Sequence, residues 1–197
     1  MISNLFRFIL LWPIVYWIYL ISFGDLGADP AKGLNHKAGE IVLYYILLNL
    51  AIGVLIDFKV RFPKYTRFLL LNRRYLGVLS FVVLLFHVFL YFVMESFEFK
   101  AVEQIYTKTY LIFASLAFIV LSTLAITSND YSVKKLSMRK WKMLHRTVYL
   151  ASLFFSIHIM LIEKTDLVKY GIILSSLWLV QFTRFGLKFY KSRVKKI

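Results

Sequence analysis

The stretch Trp141–Met160, WKMLHRTVYLASLFFSIHIM, constrains this chain more than any other. It reads as a membrane-spanning helix carrying two histidines, His145 and His158, thirteen positions apart. An imidazole in lipid is costly, so such residues face the protein interior and serve a function. At ~1.5 Å rise per residue the pair is ~20 Å apart, most of the hydrocarbon thickness, which puts one histidine near each membrane face. Ligands for cofactors that move electrons across a bilayer would be placed in this way.

The rest of the chain agrees with a membrane setting. It is 60% hydrophobic over 197 residues, with mean hydropathy +0.69, more apolar surface than a soluble domain of this size needs. The net charge of +15 would suit nucleic acid, but the basic residues cluster in short loops beside apolar runs, so membrane topology accounts for them. There is no cysteine, which excludes disulfides, thiolate-ligated iron–sulfur clusters and a redox Cys-x-x-Cys. No Walker loop, GxGxxG or Ser-His-Asp constellation occurs. His36, His87, His145 and His158 are left as the main metal-ligand candidates.

Six spans are predicted: Leu5–Ile21 with Pro13 inside, Ile41–Ile56, Tyr75–Met94, Tyr110–Thr127, the histidine-bearing stretch, and Val168–Phe185. The first reads as an uncleaved span, since its apolar core is long for a signal peptide and no A-x-A site follows. Phe23–Glu40, rich in Gly and Pro, reads as loop. So do a basic connector Asp57–Arg74, an acidic segment Glu95–Lys108, a basic loop with Lys134, Lys135, Arg139, Lys140 and Lys142, and a basic tail from Lys188. The segments on the N-terminal side hold 19 of the 25 Lys and Arg, and the opposite loops hold eight of the ten acids. The positive-inside rule then places both termini in the cytoplasm, and Arg184 is expected to snorkel to the inner interface. The fold class is all-α: one polytopic six-helix membrane domain over residues 1–197.

Heights decide which histidines can meet. His87 stands thirteen residues beyond Arg74, ~20 Å up its span, and His158 sixteen residues beyond Lys142, ~24 Å up. Two neutral imidazoles at one depth on neighbouring helices can ligate a haem iron axially. The competing reading is an interhelical hydrogen bond or a satisfied core histidine. His145 lies near the inner boundary, as a ligand or as an interfacial residue touching headgroups. Arg73 and Arg74 suit haem propionates or a flavin phosphate rather than iron. Thirteen residues at ~100° leave His145 and His158 ~140° apart around an ideal helix, so they share a seam only if that helix is irregular. His36 reads as a solvated loop histidine.

Four motifs carry a family resemblance: GADPAKGLNHKAGE before span two, RRYLGVLSFVVLLFHVFLY in span three, LAITSND after span four, and WKMLHRTVYLASLFFSIH in span five. Together, over about Gly27–His158, they resemble the MsrQ (YedZ) family, haem-binding membrane subunits of the MsrPQ system within the ferric-reductase-like transmembrane group. The resemblance implies haem b held by His87 and His158, with His145 a further ligand, and FMN as a second cofactor. It implies electrons arriving from the quinone pool or a cytoplasmic flavin reductase. They would leave to MsrP, a periplasmic molybdopterin enzyme that reduces methionine sulfoxide. The broader group carries two histidine pairs, whereas span three here has one histidine, so a lower bis-histidine haem is not expected. The chain is thus expected to be an inner-membrane electron-transfer subunit with no substrate site of its own. The rivals are a transmembrane ferric or cupric reductase and a haem-free transporter or assembly factor.

Overall fold

A computed structural model describes residues 2–24, 27–57, 63–163 and 165–194. Among them the chain forms eight helices and no strand: α1 (Ile2–Phe23), α2 (Pro30–Asp57), α3 (Pro63–Met94), α4 (Phe99–Thr107), α5 (Thr109–Ile126), α6 (Asp130–His145), α7 (Val148–Met160) and α8 (Leu167–Val194). Four of them, α1, α2, α3 and α5, are long and apolar enough to cross a membrane. α7 is only 13 residues long, and α8 is diluted by Lys169, Gln181 and Arg184. The all-helical, multi-pass character expected from the sequence is present.

Several segments read as loop are helical. α2 begins at Pro30, eleven residues before the predicted span. Asp29 accepts the Lys32 N–H at 3.0 Å, and Pro30 stands first in the helix, where its missing N–H costs nothing. His36 is therefore on α2, exposed, and not in a loop. α3 reaches back to Pro63 and takes Arg67, Arg73 and Arg74 of the basic connector into the helix, whereas Lys59 and Arg61 lie outside the described residues. Helices α4 and α6 occupy the acidic segment and the second basic loop. Asn129 caps α6 by accepting the Ser132 N–H at 2.8 Å.

The helices pack as two close pairs. α2 lies along α3 and α5 along α7, α3 touches α5, α8 closes the ring against both α7 and α2, and α1 leans on α3. On α2 the buried residues Leu34, Ala38, Val42, Ile46 and Leu50 recur every four positions, a ridge suited to packing along a neighbour. They meet a buried stripe on α3 that includes Leu76, Leu79 and Val83. Polar side chains pin α1 to the α2–α3 pair, as expected where water is absent. Arg7 Nε donates to Asn72 Oδ1 at 3.0 Å, and the Tyr45 hydroxyl donates to the Leu10 carbonyl. Hydroxyls within the helices, such as Ser80, Ser115 and Ser152, donate to the carbonyl four residues back.

The bundle has a basic and an acidic end. At the basic end Arg74 Nη1 is 2.6 Å from Asp130 Oδ1, on an exposed surface. That hydrogen bond holds the Asp130 carboxyl below the usual carboxylate range. Its folded-state pKa is depressed, so the stabilisation is present above the unfolded value near pH 4 and is lost as pH falls further. Thermal unfolding of wild type and Asp130→Asn is expected to differ by a constant, salt-sensitive amount above about pH 5, and the difference is expected to shrink progressively as pH falls below the ordinary carboxylate range.

Candidate redox site between two helix pairs

His87 stands on α3 on the stripe that faces α2. Its Nδ1 is 2.9 Å from the Asn35 carbonyl, and Asn35 Nδ2 donates back to the His87 carbonyl at 2.8 Å. His158 stands near the end of α7, with Nδ1 2.9 Å from the Tyr110 carbonyl on α5 and the Tyr110 ring 6.0 Å away. A carbonyl oxygen can only accept. Both Nδ1 atoms therefore carry the proton, and both Nε2 atoms keep a lone pair, the state in which neutral imidazole binds a metal.

The two rings lie within coulombic reach of each other. Each is largely buried yet keeps some accessible surface. α3 is seated on α2 and α7 on α5, while α3 and α7 are not themselves a closely packed pair. Among the described residues no three metal-ligating side chains converge. What the two helix pairs offer is a pair of neutral imidazoles whose Nε2 lone pairs stay available, a donor chemistry that would suit a haem iron.

Gly39 makes the His87 arrangement possible. A Cβ at this position would sit 3.2 Å from His87 Cε1 and 3.4 Å from Nδ1. Gly39→Val is expected to push the ring off its carbonyl and cost about 1–3 kcal/mol, as overpacking does. The measurement is thermal unfolding in detergent against Gly171→Val, where nothing lies within 4 Å and little loss is expected.

His145 is the last residue of α6, and the irregularity that a shared seam required is present. At Arg146–Thr147 the α-helical ladder breaks, with i→i+3 bonds from Thr147 N–H to the Leu144 carbonyl and from Tyr149 N–H to the Arg146 carbonyl, 3.0 and 3.1 Å. These tighter turns rotate the chain faster than an α-helix does. Both histidines consequently face α5, His158 at Tyr110 and His145 at Thr127, ~25 Å apart along that helix. His145 Nε2 is 3.2 Å from Thr127 Oγ1, and its ring stacks on Trp141 at 3.9 Å. Trp141 Nε1 donates to the Thr127 carbonyl at 2.8 Å.

Arg73 and Arg74 lie near His145 at the basic end but turn to different partners. Arg74 is engaged with Asp130. Arg73 Nε donates to Asn49 Oδ1 at 2.9 Å, and Asn49 Nδ2 donates to the Arg73 carbonyl at 3.1 Å. Arg184 does not snorkel as expected. It is 9% exposed and donates to the Tyr149 hydroxyl. Both Arg73 and Arg184 reach Gly53, whose added Cβ would stand 3.3 and 3.6 Å from their guanidinium nitrogens. At the acidic end Glu40 Oε1 accepts from both Lys169 Nζ, 2.5 Å, and the Tyr170 hydroxyl, 2.7 Å, joining α2 to α8.

Sequence reading found the three intramembrane histidines and missed their supports. Asn35 and Tyr110 act through backbone carbonyls, which no side-chain pattern reports. Gly39 and Arg184 were visible only as residue types.

An all-helical apolar bundle with histidines buried on two neighbouring helix pairs defines a class that comparison with known proteins places. The family described as ferric reductase-like transmembrane component matches residues 38–156, and the chain belongs to that family. Its relatives narrow the placement to the MsrQ proteins. The chain is 33% identical over 178 residues to the protein-methionine-sulfoxide reductase heme-binding subunit MsrQ of Brucella anthropi, covering 87% of this chain and 77% of the relative. It is 31% identical, over the same shares, to the MsrQ proteins of Brucella ovis and Brucella canis. No solved structure matches it.

Proposed function

We propose that this chain is a haem b electron-transfer subunit of the bacterial inner membrane, with His87 and His158 as axial ligands. The observation that supports the reading is the pair of Nδ1–carbonyl bonds, which leave the Nε2 lone pairs of both histidines free to bind a metal. Haem b supplies one-electron chemistry at its iron. The chain's own residues hold the imidazole tautomer, fix ring orientation and surround the site with an apolar shell that excludes water.

Six crossings with both termini cytoplasmic fit this role. On this reading α7 and α8 would cross along with α1, α2, α3 and α5, and the 19-to-6 split of Lys and Arg favours the basic end inside. Electrons would enter there, from quinol or a cytoplasmic flavin reductase. His145, with Arg73 and Arg74 nearby, would bind a second haem or the phosphate of FMN. Electrons would leave at the acidic end to a periplasmic methionine sulfoxide reductase of the MsrP type, a partner suggested by the names of the relatives.

Ala at His87 or His158 is expected to abolish a low-spin b-type spectrum, while His36→Ala leaves it; a full low-spin signal in His87→Ala would overturn the ligand assignment. If the inner site is real, His145→Ala slows reduction from the cytoplasmic side and leaves the outer group reducible by dithionite. Reduced membranes containing the chain are expected to support methionine sulfoxide reduction by purified MsrP, and His87→Ala membranes are not. A ferric or cupric reductase is the second reading, favoured by the family match itself. Fast reduction of ferric citrate with no transfer to MsrP would select it. A colourless purified protein would instead return the chain to a haem-free transporter or assembly factor.

A further inference from the structure

The short helix α4 is the most amphipathic of the eight, and its three faces have different neighbours. Ala101 and Gln104, 0% and 7% exposed, turn into the bundle. They are held there by the Tyr91 hydroxyl, which donates to the Ala101 carbonyl at 3.0 Å, and by Gln104 Nε2, which donates to Glu95 Oε2 at 2.8 Å. Phe99, Val102 and Tyr106, spaced i, i+3, i+7, form a second face that is 78%, 42% and 60% exposed. Lys100, Glu103 and Thr107 form the third, also exposed. At ~100° per residue the three faces stand roughly 100–160° apart, an arrangement that lets one helix touch protein, lipid and water at once.

The apolar face continues the surface that α3 turns away from the bundle. Val78, Val82, Leu85 and Phe89, at spacings of four, three and four, are 37–52% exposed along that span. Beyond it Phe97, at φ 56°, folds its ring back onto the same surface, 6.1 Å from Phe89 and stacked 6.4 Å from Phe92. Phe99 opens α4 two residues later. At the far end of α4, Ile112, Leu116 and Ile119 of α5 start a second outward stripe, 38%, 38% and 60% exposed. α4 thus bridges the upper ends of two lipid-facing stripes, with aromatic rings at the join, and aromatic residues favour the headgroup level of a bilayer.

We propose that α4 is an in-plane anchor whose Phe99, Val102 and Tyr106 are sunk into the headgroup–acyl boundary of the leaflet at the acidic end. The occupant of this face is lipid. The water-facing side of α4 is then Lys100, Glu103 and Thr107, and, on the proposed function, a soluble redox partner approaches over that stripe.

The chain lacks cysteine, so single-cysteine variants can be spin-labelled without altering anything else. Phe99→Cys, Val102→Cys, Tyr106→Cys, Lys100→Cys, Glu103→Cys and Thr107→Cys all lie at exposed positions, and labels there leave the packing intact. The full chain is placed in nanodiscs of phosphatidylcholine and phosphatidylglycerol, and collision with oxygen, which partitions into lipid, is compared with collision with a water-soluble nickel chelate. The oxygen-to-nickel ratio is expected to be roughly threefold or more higher at positions 99, 102 and 106 than at 100, 103 and 107. Equal nickel access at all six positions would overturn the proposal and leave the apolar face open to a protein partner.

Discussion

Water does not reach the middle of a membrane bundle, so every imidazole proton there needs an acceptor supplied by the chain. In this protein the acceptors are backbone carbonyls. A helical carbonyl has two lone pairs and spends one on the ladder, so the Asn35 and Tyr110 carbonyls can each take a second proton from the histidine on the neighbouring helix. That choice fixes which ring nitrogen is left with a lone pair. It does so without importing a carboxylate, whose charge would be far costlier to bury.

The packing follows from the same requirement. Each histidine and its acceptor sit on one closely packed helix pair, His87 and Asn35 on α3 and α2, His158 and Tyr110 on α7 and α5. A slip within either pair breaks a hydrogen bond that has no replacement nearby. The seam between the pairs is freer, and it is held instead at its ends. Glu40 with Lys169 and Tyr170 ties α8 to α2 at the acidic end, and Arg184 with Tyr149 ties α8 to α7 at the basic end. The bundle is therefore pinned within each close pair and, between the pairs, at its two ends.

Apolar runs were enough to read the helical, multi-pass character, and the matched depths of His87 and His158 agree with rings that lie within coulombic reach. Hydropathy is a long-range signal, and twenty apolar residues leave few alternatives. Loop boundaries were read poorly because Gly and Pro have two meanings. In GADPAKGLNHKAGE the Pro at position 30 starts a helix, and the Gly at position 39 makes room for a ring. The break at Arg146–Thr147 could be demanded from the angular mismatch of His145 and His158, but its position depends on local i→i+3 bonds that no residue type announces. Arg184 was misjudged because a long cation near a helix end usually reaches for water, and here Tyr149 and Gln181 offer it partners inside.

The spacing Asn35–Gly39 has a physical reason that extends to the second histidine. In an α-helix each Cα–Cβ bond tilts toward the N-terminus, so the side chain at i+4 overhangs the carbonyl at i. A large residue at position 39 would cover the Asn35 oxygen, and glycine uncovers it to the degree that the His87 ring fits where a Cβ would be. On α5 the residue four beyond Tyr110 is Ala114, again with little to overhang the acceptor. A small residue four positions after the acceptor is thus the sequence trace of a carbonyl that receives a histidine from another helix. It is a weak trace, because small residues also serve close helix packing in membranes. Paired with a depth-matched histidine on the adjacent span, it ties the tautomer of that histidine to two positions in a neighbouring helix.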